Sequence, residues 1–179
     1  MITVPERYLT MRRALLCVLA ICALLAGCMD TAPHAVVDDP GQVAAAYDLA
    51  ADARLAGAAQ MPILVVVTRH DCPYCVQIKR DILSPMLISG DYEDRVLIRE
   101  LMIEPAHRLR DFAGREVSSD ELAARYDATF TPTVLLLDAS GQEVTGRLLG
   151  INTTDLYGFY LDQAINKALD LLRKDGPAN

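Results

Sequence analysis

Cys72 and Cys75, separated by Pro73 and Tyr74, stand just after the apolar run Pro62-Ile63-Leu64-Val65-Val66-Val67-Thr68. A Cys-x-x-Cys pair can be half of a zinc site, a structural staple, or a couple that trades electrons. Which chemistry applies depends on how many other thiols the working protein holds, and so on where the mature chain begins.

The stretch MRRALLCVLAICALLAGC, residues 11–28, opens with Arg12 and Arg13 and continues with fourteen apolar or small residues, 14–27. It is too short to span a bilayer, which takes about 20 residues, and has the proportions of a secretory signal. Leu25-Ala26-Gly27-Cys28 resembles the lipobox of bacterial lipoproteins, where the cysteine is diacylated and the chain is cut just before it. On that resemblance Cys28 is the lipidation site and the first mature residue. The alternative is an ordinary cleavable signal with a fortuitous cysteine. Residues 1–10 precede a complete signal, so Met11 is a second candidate start.

With that processing, Cys17 and Cys22 leave with the signal and Cys28 becomes a thioether. Only Cys72 and Cys75 remain as thiols. Zinc would need two more ligands. His34, His70, His107 and scattered carboxylates offer no second clip at ligand spacing, so no metal and no cofactor is expected. A purely structural disulfide closing so small a ring would restrict the unfolded chain little. The redox couple is the reading left.

Residues 28–179 make 152, enough for one domain with a real core. They carry 14 basic and 23 acidic residues, a net charge of −9, against −7 for the whole chain. With three lysines, this balance argues against nucleic acid, whose phosphates need Lys/Arg neutralisation, and against docking on anionic lipid. The membrane would be held through the lipid anchor alone. The expected layout is a lipoprotein signal peptide at 1–27, a Pro- and Gly-punctuated tether at 28–41, and a folded domain at 42–175.

Within the domain, residues 43–59 are Ala-rich, with Tyr47, Ala51 and Leu55 at helical spacing, and predict an amphipathic helix. Residues 63–68 form a β-branched run suited to a strand buried on both faces. A helix is expected from Pro73 to about Leu87, kinked or ended by Pro85, and a strand at 96–102. Residues 104–117 are charge-rich, either a solvated connection or a lid, and His107 has no evident partner. Ser118-Ser119-Asp120-Glu121 has the form of a capping box opening a helix through Tyr126. Residues 133–137 and 143–149 flank an Asp138–Gly141 turn as a hairpin. Thr153 or Thr154 would cap a last helix with Tyr157, Leu161, Ala164, Ala168 and Leu172 on one face. Strands alternating with helices imply a sheet covered by helices.

These elements would place Cys72 at a helix cap with Pro73 in the first turn, where its missing N–H costs nothing. Residues three apart on a helix lie about 5 Å apart between Cα atoms, inside the roughly 4.4–6.8 Å a disulfide needs. One backbone can thus hold the bond or the two thiols. Cys72 would sit where free helix N–H groups favour a thiolate, and would attack a partner disulfide. Cys75, one turn in, would resolve the mixed disulfide. His70 and Asp71 read as solvated neighbours.

Cys72-Pro73-Tyr74-Cys75 after a hydrophobic strand, with Thr131-Pro132-Thr133 some sixty residues later, resembles the thioredoxin superfamily over about residues 42–172. The segment ELAARYDATFTPTVLLLDASGQEVTGRLLG, 121–150, is similar to its helix, cis-proline strand and hairpin in order. The resemblance implies an α/β thioredoxin fold, a central mixed β-sheet flanked by helices, preceded here by the N-terminal signal helix. It also implies a cis-Pro132 facing the cysteines, Thr131 offering backbone hydrogen bonds to a bound peptide, and Pro73 and Tyr74 beside the substrate.

Within the superfamily the chain most resembles periplasmic thioredoxin-like lipoproteins, including the thiosulfate-oxidation accessory thioredoxins. It departs from cytosolic thioredoxin in its Pro-Tyr dipeptide and its lack of tryptophan. Val66 stands where thioredoxin has a buried aspartate, so the proton acceptor for Cys75 is missing or comes from elsewhere.

The expected activity is thiol–disulfide exchange with protein cysteines, in the periplasm, from a lipid-anchored position, with an unidentified redox partner. Isomerase-type activity is the nearest alternative, although 152 residues leave no room for the dimerisation domain of dimeric isomerases. A redox-inactive peptide-binding module and electron delivery to cytochrome maturation are the others.

Overall fold

The computed structural model describes residues 39–151 and 154–174. The expected signal, Cys28, most of the tether and Thr153 lie outside the described residues.

The six residues of β1 (Ile63–Thr68) are all buried, as their unbroken apolar character requires of a central strand. β1 runs parallel to β2 (Leu97–Met102) and antiparallel to β5 (Thr133–Leu137), which pairs antiparallel with the short β6 (Leu148–Leu149). The order β2-β1-β5-β6 makes a mixed sheet.

Alternate residues of the strands feed two cores. Val65, Val67, Leu101, Leu135 and Leu137 pack with Leu49 and Ala56 of α1 (Leu49–Ala59) and Leu122 of α4 (Ser119–Arg125). Leu64, Val66, Ile98, Val134 and Leu136 pack with Ile78, Leu83 and Met86, and with Tyr157, Leu161 and Ile165 of α5 (Thr154–Lys174). Each fully buried aliphatic side chain contributes about 1.5–3 kcal/mol. The expected mixed sheet flanked by helices is the observed architecture.

Several local expectations are corrected. Residues 43–48 are not helical. The Ala44 carbonyl accepts the Glu100 N–H at 2.8 Å and the Ala46 N–H donates to the Glu100 carbonyl at 2.8 Å, covering the outer edge of β2. Unpaired strand edges are costly, and this need overrides the helix propensity of alanine. The helix starts one residue after Asp48, whose Oδ1 accepts the Ala51 N–H at 2.8 Å. Its buried face is Leu49, Asp52, Ala53 and Ala56, whereas Tyr47 and Leu55 are exposed. Asp52 is buried because Arg99 of β2 grips it through Nε at 3.0 Å and Nη2 at 2.7 Å.

Pro85 does not end its helix. α2 (Pro73–Ile78) widens into a π-helical turn at Lys79–Leu83 and resumes as α3 (Ser84–Ser89), with Gly90 at φ 74° beyond it. The Ser84 N–H reaches back five residues to the Lys79 carbonyl. The widened turn comes just before the proline ring, which would crowd a normal helix.

Residues 104–117 are neither a plain solvated connection nor a lid. They hold a hairpin, β3 (Arg108–Arg110) with β4 (Glu116–Ser118), whose Leu109 and Val117 enter the core beside α1 and α4. Asp111 organises its turn by accepting the N–H groups of Ala113 at 3.0 Å and Arg115 at 2.9 Å. His107 has a ring partner in Tyr47, with centroids 5.4 Å apart.

α4 begins where the capping-box pattern put it, but the Ser118 side chain does not cap it, and Glu121 pairs with Arg125 instead. The Asp138–Gly141 turn forms as expected, but the returning strand is shorter than 143–149: Glu143 makes one isolated bridge to Leu137, and only Leu148–Leu149 pairs with β5 as a strand. The buried face of α5 is carried by Ile165 and Leu169 as well as Tyr157, Leu161 and Ala168, with Ala164 and Leu172 half-buried.

Candidate active site

The cysteine pair sits where β1 hands over to α2, at the C-terminal end of the central strand. Cys72 is the N-cap of α2, with extended backbone (φ −131°, ψ 94°), and Pro73 follows in the first turn. The Cys72 carbonyl accepts the N–H groups of Cys75 at 3.0 Å and Val76 at 3.2 Å, and its Sγ accepts the Cys75 N–H at 3.1 Å. A sulfur so placed meets a ready-made hydrogen-bond donor from the helix that it caps.

Cys72 and Cys75 are joined by a disulfide, with Cα atoms 5.2 Å apart. That spacing is what residues three apart on a helix offer, so opening the bond needs little backbone movement. Cys72 is 8% exposed and Cys75 1%. The first sulfur is thus the one a partner can reach, and the second is sheltered. His70 and Asp71 are both exposed.

Tyr74, 60% exposed, faces a groove of about 540 Å³ whose other walls are Phe130, Thr131, Pro132, Leu149, Gly150 and Ile151. The Thr131–Pro132 peptide is cis. The loop is pinned on both sides: the Thr133 hydroxyl donates to the Phe130 carbonyl at 2.6 Å, and the Gly150 N–H donates to the Pro132 carbonyl at 2.8 Å. Phe130 is 63% exposed, and Leu149 is also exposed. Tyr74 and Pro132 therefore share one apolar groove beside the cysteines, although 58 residues separate them in the chain.

Sequence reasoning named Tyr74, Thr131 and Pro132 here but missed Phe130, Leu149, Gly150 and Ile151. An aromatic directly before Thr131-Pro132 was the available signal for the first. It also missed the buried cluster beneath the helix, where Thr68 Oγ1 donates to Glu100 Oε1 at 2.6 Å and Lys79 Nζ donates to the same oxygen at 2.7 Å. Val66, at the position where the resemblance expects an aspartate, is fully buried, and its Cα partner across the parallel strand is Glu100. Among the described residues no group of three or more His, Cys, Asp or Glu is placed to hold a metal ion.

The model of the family described as "Thioredoxin-like domain" matches residues 49–165, from α1 into α5. The chain belongs to this thioredoxin-like family. With the closed cysteine pair at its helix cap, it is a thiol–disulfide oxidoreductase, and protein thiols are its substrate class. No curated protein sequence matches it significantly. Among solved structures, a thioredoxin from Thermus thermophilus is 26% identical, with TM-score 0.51, the match covering 71% of this chain and 91% of that one. A DsbH oxidoreductase shares the fold at 19% identity and TM-score 0.52, the match covering 70% of this chain and 86% of that one.

Proposed function

We propose that this thioredoxin-like protein works from a lipid anchor on the outer side of the cytoplasmic membrane, exchanging disulfides with the cysteines of periplasmic proteins. The layout is a signal peptide at 1–27, a tether at 28–41 from lipidated Cys28, and the catalytic domain at 42–175. Cys72 is the attacking sulfur and Cys75 the resolving one. Pro73 shapes the first turn of their helix. Pro132 and Thr131 present an extended client strand, and Tyr74 packs against it. A second redox protein restores the pair after each turnover.

The observation that carries this reading is the closed bond between Cys72 and Cys75, which stand on either side of Tyr74, the residue that lines a groove together with Pro132. A module that only held peptides would have no use for it. The anchor rests on the sequence Leu25-Ala26-Gly27-Cys28.

Two measurements test the proposal. Reduction of insulin should proceed with the native chain and cease in Cys72→Ser, while Cys75→Ser should accumulate mixed disulfides with periplasmic proteins. Full insulin reduction by Cys72→Ser would overturn the roles assigned. In cell fractionation the native chain should pellet with membranes and Cys28→Ala should not; membrane retention of that variant would end the anchor assignment.

A further inference from the structure

Opening the Cys72–Cys75 bond raises a proton problem at its inner sulfur. Cys75 is buried, and the thiol it becomes on reduction must gain a proton and later lose it. A thiolate left there would be an unpaired buried charge. We propose that Glu100, held beneath the active-site helix by Lys79 and Thr68, exchanges this proton with Cys75. The inference rests on the assignment of Cys75 as the resolving thiol.

Three observations converge on Glu100. The first is position. Lys79 lies one helical turn beyond Cys75, with its N–H bonded to the Cys75 carbonyl, so the two side chains share a face. The Lys79 ammonium reaches Glu100 at 2.7 Å. Glu100 has the strand parity of Ile98, and Thr68 that of Leu64 and Val66, residues that pack under Ile78 of the same helix.

The second observation is that Glu100 has no partner on the other face of its strand. Arg99 points the opposite way and is engaged by Asp52 on α1. The charged groups around Glu100 are Lys79 from the helix and, across an adjoining pocket, Asp39 and Arg80, the latter tied to Asp81. β1 contributes only Thr68 as a polar contact.

The third is access. Glu100 lines an open pocket of about 330 Å³ together with Gln42, Val76 and Lys79. Val76 directly follows Cys75, so one hollow touches both the carboxylate and the resolving cysteine's neighbour. A proton collected on Glu100 can pass from there to solvent. Replacing such an ion pair with apolar side chains seldom harms stability, so packing alone gives no reason to bury it.

The step balances. The Cys72 thiolate attacks a client disulfide and expels one client thiolate. The Cys75 thiol then gives its proton to the Glu100 carboxylate while its sulfur attacks Cys72. The Cys72–Cys75 bond forms, the second client thiolate leaves, and the two electrons of the dithiol now reside on the client. Glu100 returns its proton to water through the pocket. In the oxidising direction, protonated Glu100 supplies the proton that the departing Cys75 sulfur takes up.

The test mixes the reduced full chain, in detergent, with a chromogenic aromatic disulfide. The first thiolate released reports attack by Cys72 and the second reports resolution by Cys75; other thiols are subtracted with the Cys72→Ser/Cys75→Ser double variant. Glu100→Gln should slow the second phase about 100-fold at neutral pH and make it climb tenfold per pH unit. Its first phase should change less than about twofold. Lys79→Met, which leaves the carboxylate in place, should keep a fast second phase. A Glu100→Gln second phase with native rate and pH dependence, or both phases slowed alike, would overturn the inference. Should Glu100→Gln fail to fold, a second phase of the native chain that runs equally fast in deuterated and ordinary water would overturn it equally, since the proposed step moves a proton. A native chain lacking the first phase would instead refute the nucleophile assignment, and this inference with it.

Discussion

The Sγ of Cys72 accepts the backbone N–H of Cys75 across 3.1 Å, from the cap of the helix on which both residues sit. In the oxidised protein this donor faces a neutral sulfur. On reduction the same N–H, and the rest of the first helical turn, would face a thiolate and stabilise it. The Cys72 thiol of the reduced protein should therefore ionise below the free value of about 8.5. Iodoacetamide alkylation followed against pH should plateau well below that value for Cys72, while Cys75 reacts slowly at every pH. A Cys72 profile centred near 8.5 would contradict the geometry.

The groove makes a separable prediction. Tyr74 and Phe130 present exposed rings to the groove that Pro132 also lines, an arrangement suited to apolar side chains of an extended client. Burying part of one ring against a client is worth about 1–2 kcal/mol. Tyr74→Ala and Phe130→Ala should each raise KM for insulin about 5- to 30-fold with a much smaller change in kcat. A loss confined to kcat would place these rings in the chemistry rather than in binding.

How much of this was legible beforehand follows from how local each cause is. β1 and β5 could be read because every one of their residues is apolar or β-branched and buried. The cysteine helix could be read from Pro73 and the spacing of the pair. Residues 43–48 misled because their alanines suit a helix, while the need that decided their conformation belongs to the distant edge of β2. The hairpin of β3 and β4 was hidden by its charges, since only Leu109, Val117 and the partly buried Phe112 carry it into the core. Within the site, Phe130 and Leu149 meet only through the pairing of β5 with β6. Glu100 looked like one polar residue of an alternating strand, and only the register Val66↔Glu100 and the turn carrying Lys79 reveal its surroundings.

Asp111 predicts an acid sensitivity remote from the cysteines. Burial by itself would push its carboxyl up. The Arg115 N–H and the guanidinium groups of Arg125 and Arg115 outweigh that and hold it at about 2, below the ordinary 3.8. A depressed carboxyl contributes stability that is fully present above the unfolded value and is lost as pH falls through the folded one. The window is therefore about pH 4 down to 2, and the contribution is at most about 2 kcal/mol, because the arginines reach solvent. Asp111→Asn should lower the urea midpoint at pH 7, and its stability should depend less on pH between 4 and 2 than the native chain's. An undiminished pH dependence would assign the acid transition to other carboxylates.

Gly141 closes the turn before β6 at φ 83°, a conformation that strains any residue with a Cβ. Crowding adds to the strain: an added Cβ would lie 2.7 Å from the Phe112 ring and 2.9 Å from the Tyr126 hydroxyl. That hydroxyl donates to the Gly141 carbonyl at 2.7 Å. Burial first, then Asp138 and Glu143, push its phenol up to about 12, so it remains a donor throughout the neutral range. Gly114, at φ 76°, shares the backbone constraint but has open space around it, which makes it the control. Gly114→Ala should cost about 1 kcal/mol from backbone strain alone. Gly141→Ala should cost about 2–4 kcal/mol, since overpacking and a displaced Tyr126 bond are added. Urea unfolding of the two variants measures the difference, and equal midpoints would mean that Phe112 and Tyr126 move aside without cost.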